Sequence, residues 1–287
     1  MLETSHCLTI TIVSSNPAKA RPSRPGRAIN ACTDELKTTS KNTANLRSLK
    51  LFMRLVDWRS IRMKSQGCTL CGHSVIIKFS ENEHAVRCIK CRANPAAMCM
   101  AAVLEKIEPD LGDLHVYELS SRGPFFRFLQ TRCRQFMFSE FFEDVPPGGS
   151  KNGVPCQDVQ RLTYDGQSFD LCTSTDVFEH VPDDGKAFRE MYRVLKPGGH
   201  LVFTVPMAGV PGTVERARLV EGRIEHILPP EYHHDHLAGL DKVLCFRNYG
   251  SDIVDRLENA GFSTARIVPP GPETYWGHGR PIVVARR

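Results

Sequence analysis

Four cysteines form two closely spaced pairs in the first third of the chain. Two residues separate Cys68 from Cys71, sixteen residues follow, and Cys88 and Cys91 repeat the spacing. Two such pairs on tight turns present four soft thiolates, the ligand set of a tetrahedral structural zinc site. A polar segment of about 25 residues could hardly fold without a cross-link such as a bound metal ion. The pattern predicts a zinc ribbon in which all four ligands come from the protein, so the metal has no coordination position left for a substrate.

Carboxylates and an imidazole follow a short apolar run in the middle of the chain. Residues 169–173 have the length and composition of a buried strand, and Asp176 follows where that strand should end. Glu179 and His180 come next. Either residue could act as a general base, since an imidazole titrates near neutral pH, and a hydrogen-bonded structural histidine is the alternative for His180.

The residues after His180 predict a helix and a second strand. Apolar residues recur at helical spacing between Asp184 and Lys196. The sequence Pro197-Gly198-Gly199 then forbids further helix and supplies a residue free to adopt positive φ. Residues 200–205 are β-branched and apolar, as in a buried strand. A strand, a helix and a strand in this order predict a parallel sheet.

Two motifs of this region, in their order and spacing, resemble a known family. They are Asp176-Val177-Phe178-Glu179-His180 and Arg193-Val194-Leu195-Lys196-Pro197-Gly198-Gly199. Together they resemble the second half of the class I S-adenosylmethionine-dependent methyltransferases of the type 11-like subgroup. The resemblance covers residues 113–286 and implies a doubly wound, Rossmann-like α/β fold whose seven-stranded sheet is mostly parallel, with an antiparallel last strand. It also implies S-adenosylmethionine as cofactor and methyl transfer to a nitrogen, oxygen or carbon atom.

The family has a glycine-rich cofactor loop after its first strand, which here corresponds to residues 114–118. In this chain Ser120, Arg122 and Pro124 stand at the three glycine positions, and Gly123 is the only glycine left. Glycines let the backbone approach the cofactor closely, so their replacement weakens the contact between the loop backbone and the cofactor. We expect the Ser120 hydroxyl and the Arg122 guanidinium to bind the cofactor carboxylate instead.

The resemblance assigns further cofactor contacts to acids at strand ends. Glu140 lies 22 residues after Glu118, close to the ~20-residue offset of a ribose-binding acid in βαβ folds. Asp158, in the predicted third strand at residues 154–159, matches the acid that contacts the adenine amino group. The expected cofactor residues are therefore Glu118, Ser120, Arg122, Gly123, Glu140, Asp158, Val159 and Asp176.

Residues 207–240 correspond to the segment that the family uses as a substrate lid. The candidate catalytic residues are His180, Tyr232 and His233, although methyl transfer needs a base only when the acceptor must lose a proton early. A second metal site in this segment is less favoured, because the adjacent His233 and His234 do not share a face of a regular element. We expect substrate contacts or hydrogen bonds within the lid.

The charge distribution favours a small-molecule acceptor over a nucleic acid. The chain has a net charge of +5, and residues 1–50 contain 8 basic and 3 acidic residues, so the remaining 29 of each sign cancel. A neutral body lacks the clustered positive charge that phosphate backbones require. Two alternatives stay open: a ribosomal-RNA methyltransferase, since some carry an N-terminal cysteine zinc module, and a non-catalytic scaffold, which the missing glycines favour.

Composition divides the chain into three parts. Residues 1–45 resemble a disordered basic extension, either dispensable or an organelle transit peptide. Residues 46–95 should contain a helix and the zinc ribbon, and residues 96–287 the methyltransferase domain. Eleven cysteines with no secretory signal favour the reducing cytoplasm. No apolar run approaches the ~18 residues of a membrane span, and nothing in the sequence indicates the oligomeric state.

Overall fold

A computed structural model describes residues 61–81, 83–235, 240–271 and 275–287 of the chain. The predicted extension at residues 1–45 and nearly all of the predicted helix that follows it lie outside these ranges. Within the described ranges, no helix combines the length and the apolar character needed to cross a membrane.

The N-terminal ribbon is a three-stranded antiparallel sheet. Its strands are β1 (Arg62–Ser65), β2 (Val75–Lys78) and β3 (Val86–Cys88), paired in the order β1-β2-β3. The sequence predicted a ribbon between and around the two cysteine pairs, where these strands lie. Ile76 and Val86 are fully buried and belong to the same apolar core as the helix that follows, so the ribbon is packed onto the domain.

Four helices and fourteen further strands follow in the described residues. In chain order they are α1 (Pro95–Ile107), β4 (His115–Glu118), α2 (Gly123–Arg132), β5 (Gln135–Phe138), β6 (Ser150–Lys151), β7 (Val154–Pro155), β8 (Phe169–Thr175), α3 (Asp184–Val194), β9 (Leu195–Thr204), β10 (Val214–Glu215), β11 (Ala217–Val220), β12 (Arg223–His226), β13 (Tyr232–Asp235), β14 (Leu240–Leu244), β15 (Arg247–Asn248), α4 (Ile253–Asn259), β16 (Thr264–Val268) and β17 (Ile282–Arg286). One-turn 3-10 helices at Glu83–Ala85 and Phe178–His180 complete the set.

The central sheet has the order β16-β17-β9-β8-β4-β5. The pairs β4-β5, β4-β8 and β8-β9 are parallel, and β17 runs antiparallel to both of its neighbours. The resemblance implied seven strands, and six are paired here. At the position of the third predicted strand, a single parallel bridge joins Glu140 to Cys156. The strand is short because β7 pairs with β6 in a hairpin and Asp158 then begins a turn.

Helices cover both faces of this sheet, as the resemblance implied. Successive strand residues point to opposite faces, and they fall into two separate apolar cores. Helices α1 and α2 pack on one face and α3 and α4 on the other. The first core contains Val116, Leu171, Val202 and Val284, and the second contains Tyr117, Cys172, Phe203 and Val283.

The Pro197-Gly198-Gly199 sequence follows the helix as predicted, but it lies within β9 (Leu195–Thr204) rather than in a turn before that strand. The helix ends at Val194 rather than Lys196, because a residue that precedes proline is disfavoured in helical conformation. Gly198 adopts a φ of +82°. A Cβ on Gly199 would lie 2.8 Å from the backbone oxygen of Asp170, so this position requires glycine.

Candidate functional site

The four predicted zinc ligands lie together. The Sγ atoms of Cys68, Cys71, Cys88 and Cys91 are all within 4.8 Å of one another, and all four cysteines are free thiols. Both turns have the same geometry, because Gly72 N donates to Cys68 O at 2.8 Å and Arg92 N to Cys88 O at 2.9 Å. Four soft donors at this spacing fit a tetrahedral zinc ion.

Polar contacts attach the cysteine turns to the domain. Thr69 Oγ1 donates to the backbone oxygen of Met98 in α1 at 2.7 Å. Tyr275, shortly before β17, donates its hydroxyl to the backbone oxygen of Gly67 at 2.9 Å. Both bonds involve a residue next to the first cysteine pair, Thr69 or Gly67, so the ribbon and the domain share an interface there.

Glu118 ends β4 as predicted and is buried rather than open to a ligand. Its side chain is 1% exposed and accepts a hydrogen bond from Thr173 Oγ1 on β8. Burial raises the pKa of the Glu118 carboxyl to about 7, and the nearby charge of Glu140 adds to the effect. Glu118 can therefore hold a proton near neutral pH.

Glu140 binds the loop that the sequence predicted to hold the cofactor. Ser121 donates to Glu140 Oε1 from its backbone nitrogen at 2.9 Å and from its hydroxyl at 2.8 Å. Arg122 Nη2 lies 3.5 Å from Glu140 Oε2, and Ser120 Oγ donates to Arg122 O at 3.1 Å. The predicted residues Ser120, Arg122 and Glu140 are thus brought together. Sequence reasoning missed Ser121, for which only its place in the loop was an indication.

The first turn of α2 is open to an anion. Gly123 begins the helix with a φ of +94°, and Arg122 at the N-cap makes no side-chain capping bond. A Cβ on Gly123 would find no atom within 4 Å. The first amides of a helix have no intrahelical acceptor and favour negative charge. This end of α2 therefore fits a carboxylate.

Asp158 and Val159 lie in the turn that replaces the third strand. Asp158 Oδ1 accepts from the backbone nitrogen of Gln160 at 2.9 Å and from its side-chain amide at 3.2 Å. Val159 packs partly buried against the second core. Their predicted contacts to adenine stay predictions.

Asp176 is paired with a cation that the sequence did not indicate. It adopts a φ of +53° at the end of β8, and its Oδ1 accepts from Thr204 Oγ1 at 3.0 Å and from Arg280 Nη1 at 2.6 Å. Arg280 also binds Glu83 of the ribbon. Arg280 lies 104 residues after Asp176, so no spacing pattern could relate them.

The structure brings two of the three candidate catalytic residues into contact. His180 Nε2 lies 3.2 Å from His233 Nδ1, and both nitrogens are within 3.8 Å of the buried Glu179 carboxylate. The lid histidine therefore meets the histidine of the central motif. Tyr232 is 43% exposed and precedes His233 on β13, so the two side chains point to opposite faces.

Comparisons with known proteins agree with the motifs. Residues 143–203 match the family model of the methyltransferase domain. The ubiquinone biosynthesis O-methyltransferase of Coxiella burnetii is 43% identical over 49 residues, 17% of this chain and 21% of that protein. The demethylmenaquinone methyltransferase of Deinococcus radiodurans is 39% identical over 75 residues, 25% of this chain and 29% of that protein. The chain thus spans less than a third of the length of these relatives.

Solved structures give a weaker likeness. An S-adenosylmethionine-dependent methyltransferase from Mesorhizobium loti has a TM-score of 0.43 at 20% identity, over 66% of this chain and 98% of that chain. The 1,6-didemethyltoxoflavin-N1-methyltransferase of Burkholderia thailandensis has a TM-score of 0.41 at 17% identity, over 67% and 79%. At these values neither structure assigns a function. The family model and the matched segments confirm the resemblance of this chain to the class I S-adenosylmethionine-dependent methyltransferases.

Proposed function

We propose that the protein transfers a methyl group from S-adenosylmethionine to a small-molecule acceptor. The observation that carries the proposal is the grouping of Glu118, Glu140 and Asp176. They lie at or just after the carboxyl ends of β4, β5 and β8, which are adjacent in the sheet. Ligands of open α/β sheets bind at this edge, and the matched methyltransferase segment includes β8.

The residues at this edge fit the cofactor in charge and hydrogen-bonding type. Glu140 would accept the two ribose hydroxyls, Asp158 the adenine amino group, and the open first turn of α2 with Arg122 would hold the carboxylate. When bound, S-adenosylmethionine supplies an activated methyl group on a sulfonium. Alignment and exclusion of water then provide most of the rate.

His180 and His233 are the groups best placed to take a proton from the acceptor. His180 Nδ1 donates to the backbone oxygen of Leu244 at 2.8 Å, since that oxygen can only accept. The lone pair of its neutral imidazole is therefore on Nε2, facing His233. This pair matters for an acceptor that must be deprotonated, and a more nucleophilic acceptor would not need it.

A small acceptor agrees with the charge and with the relatives. The two relatives described above are named as acting in ubiquinone biosynthesis and on demethylmenaquinone. The neutral balance of residues 51–287 gives no support to an RNA acceptor. The scaffold alternative has one observation in its favour, which is that Glu140 is already engaged by Ser121 and Arg122.

Calorimetry with S-adenosylmethionine and S-adenosylhomocysteine tests the proposal. We expect micromolar binding by folded, zinc-loaded protein, followed by transfer of isotopic methyl label to the small-molecule fraction of a cell extract. Label in a nuclease-sensitive fraction would favour an RNA acceptor. If millimolar cofactor does not bind, the scaffold alternative replaces the enzyme.

A further inference from the structure

Three side chains from two distant segments meet at the carboxyl edge of the sheet. Glu179 and His180 belong to the 3-10 helix Phe178–His180 after β8, and His233 lies on β13. We call these three residues the His–Glu cluster. It contains no residue of the four-cysteine centre and is separate from the zinc ribbon.

The Glu179 carboxyl group has no hydrogen bond that accounts for its burial. Its side chain is 1% exposed, and neither oxygen accepts a hydrogen bond from any described residue. The imidazole nitrogens approach it at 3.7 Å from His180 Nε2 and 3.8 Å from His233 Nδ1, which is too far for hydrogen bonds. Buried charges are normally paired or bound to a metal, and this carboxylate is directed at two imidazoles.

The outer nitrogen of each imidazole is held by an acceptor. His180 Nδ1 binds the backbone oxygen of Leu244 at 2.8 Å, and His233 Nε2 lies 3.3 Å from Glu231 Oε1. Because these partners accept hydrogen bonds, the protons reside on the outer nitrogens and the lone pairs point inward. Metal-binding histidines are oriented in this way, by a carbonyl or a carboxylate on the second nitrogen.

The inward lone pairs would repel each other without a positive charge between them. His180 Nε2 and His233 Nδ1 are 3.2 Å apart. With Oε1 of Glu179 they form a triangle, and the point equidistant from its corners lies about 2.1 Å from each atom, which is the length of a zinc–nitrogen bond. We propose that Glu179, His180 and His233 bind a divalent transition-metal ion such as zinc.

Three protein ligands leave an open coordination position, in contrast to the closed cysteine centre. Glu231 and Cys245 also lie near His233, but Glu231 meets its outer nitrogen and Cys245 donates to Arg247 O at 3.1 Å. We assign Glu231 to orienting the imidazole. Metal binding does not depend on the proposed methyl transfer. If that transfer occurs, His180 and His233 hold the ion, and the ion rather than either imidazole lowers the pKa of an acceptor hydroxyl.

Zinc titration in competition with a chromogenic chelator tests the site on the full-length protein. We expect two ions per chain in the wild type and one in His180→Ala and His233→Ala. His200→Ala is the matched control, because His200 pairs with Glu108 at 2.7 Å outside the cluster, and it should keep both ions. Cobalt in place of the second zinc should show no thiolate charge-transfer absorption.

The isosteric variant Glu179→Gln covers the case in which a histidine variant fails to fold. Loss of the Glu179 charge should weaken binding of the second ion at least tenfold, while the circular dichroism spectrum stays unchanged. A wild type that holds only the ribbon's ion would overturn the proposal and favour a proton shared between the imidazoles. A second ion that persists at equal affinity in Glu179→Gln, or in a folded His180→Ala protein, would overturn it as well.

Discussion

The guanidinium of Arg280 donates to the carboxylate of Asp176 over 2.6 Å and thereby fixes the end of β8. Its other nitrogen, Nη2, lies 2.5 Å from Glu83 Oε1 in the 3-10 helix of the ribbon. Arg280 is 14% exposed, and each carboxylate is about one-third exposed or less. One cation thus connects the four-cysteine ribbon to the candidate cofactor edge.

Replacing Arg280 with alanine should destabilise the protein, because two partly buried carboxylates lose their common partner. We expect urea denaturation to show a loss of about 2 kcal/mol, as for hydrogen bonds to charged groups. Arg134→Ala is the control, since Arg134 pairs with Asp113 and both are 80% exposed, and such pairs contribute little. Equal stability of the two variants would show that Arg280 does not hold the ribbon.

Removing a ribbon cysteine should abolish the structural zinc site. Cys68→Ser or Cys88→Ser leaves three thiolates, and the small ribbon then lacks the ion that stabilises its fold. We expect aggregated or protease-sensitive protein and a reduced zinc content by elemental analysis. Cys133→Ser, at a buried cysteine outside the cluster, should keep its zinc. Wild-type protein purified without chelator and free of zinc would contradict the prediction.

Glu140→Ala should weaken cofactor binding. Loss of a charged hydrogen-bond acceptor costs about 1.5–3 kcal/mol, so calorimetry should show roughly tenfold weaker binding or more. Ser121→Ala tests the loop separately, because it removes one bond to Glu140 and keeps the carboxylate. The exposed Glu143 provides the control, and Glu143→Ala should bind normally. Unchanged affinity in Glu140→Ala would exclude it as the ribose ligand.

Glu118 should make stability fall as the pH rises from about 4.5 to about 7. Its pKa is about 7 in the folded chain against an ordinary 4.5, so between these values the folded state binds the proton more tightly than the unfolded state. Stability is therefore lost as pH increases over this range, by about 3 kcal/mol when fully ionised. Glu118→Gln should remove this loss and be relatively more stable at pH 8 than at pH 5. If the free energies of unfolding of the wild type and of Glu118→Gln changed in parallel with pH, the prediction would be contradicted.

The sequence alone determined the features that depend on local chemistry. Cysteine spacing located the four thiols, and helical periodicity with Pro197-Gly198-Gly199 located α3 and its end near the start of β9. These predictions succeeded because ligand spacing, helix termination and positive φ are set by residues close together in the chain. The motifs at Asp176 and Arg193 indicated the methyltransferase resemblance for the same reason.

Tertiary structure decided the contacts between distant segments. The pairing of Arg280 with Asp176 and Glu83, the bond from Ser121 to Glu140, and the meeting of His233 with His180 join residues that no periodicity relates. Sequence reasoning disfavoured a metal at His233 because it compared that residue with its neighbour His234. The fold instead places His233 beside Glu179, since packing of the segment after β9 against the end of β8, rather than local spacing, determines which side chains share a site.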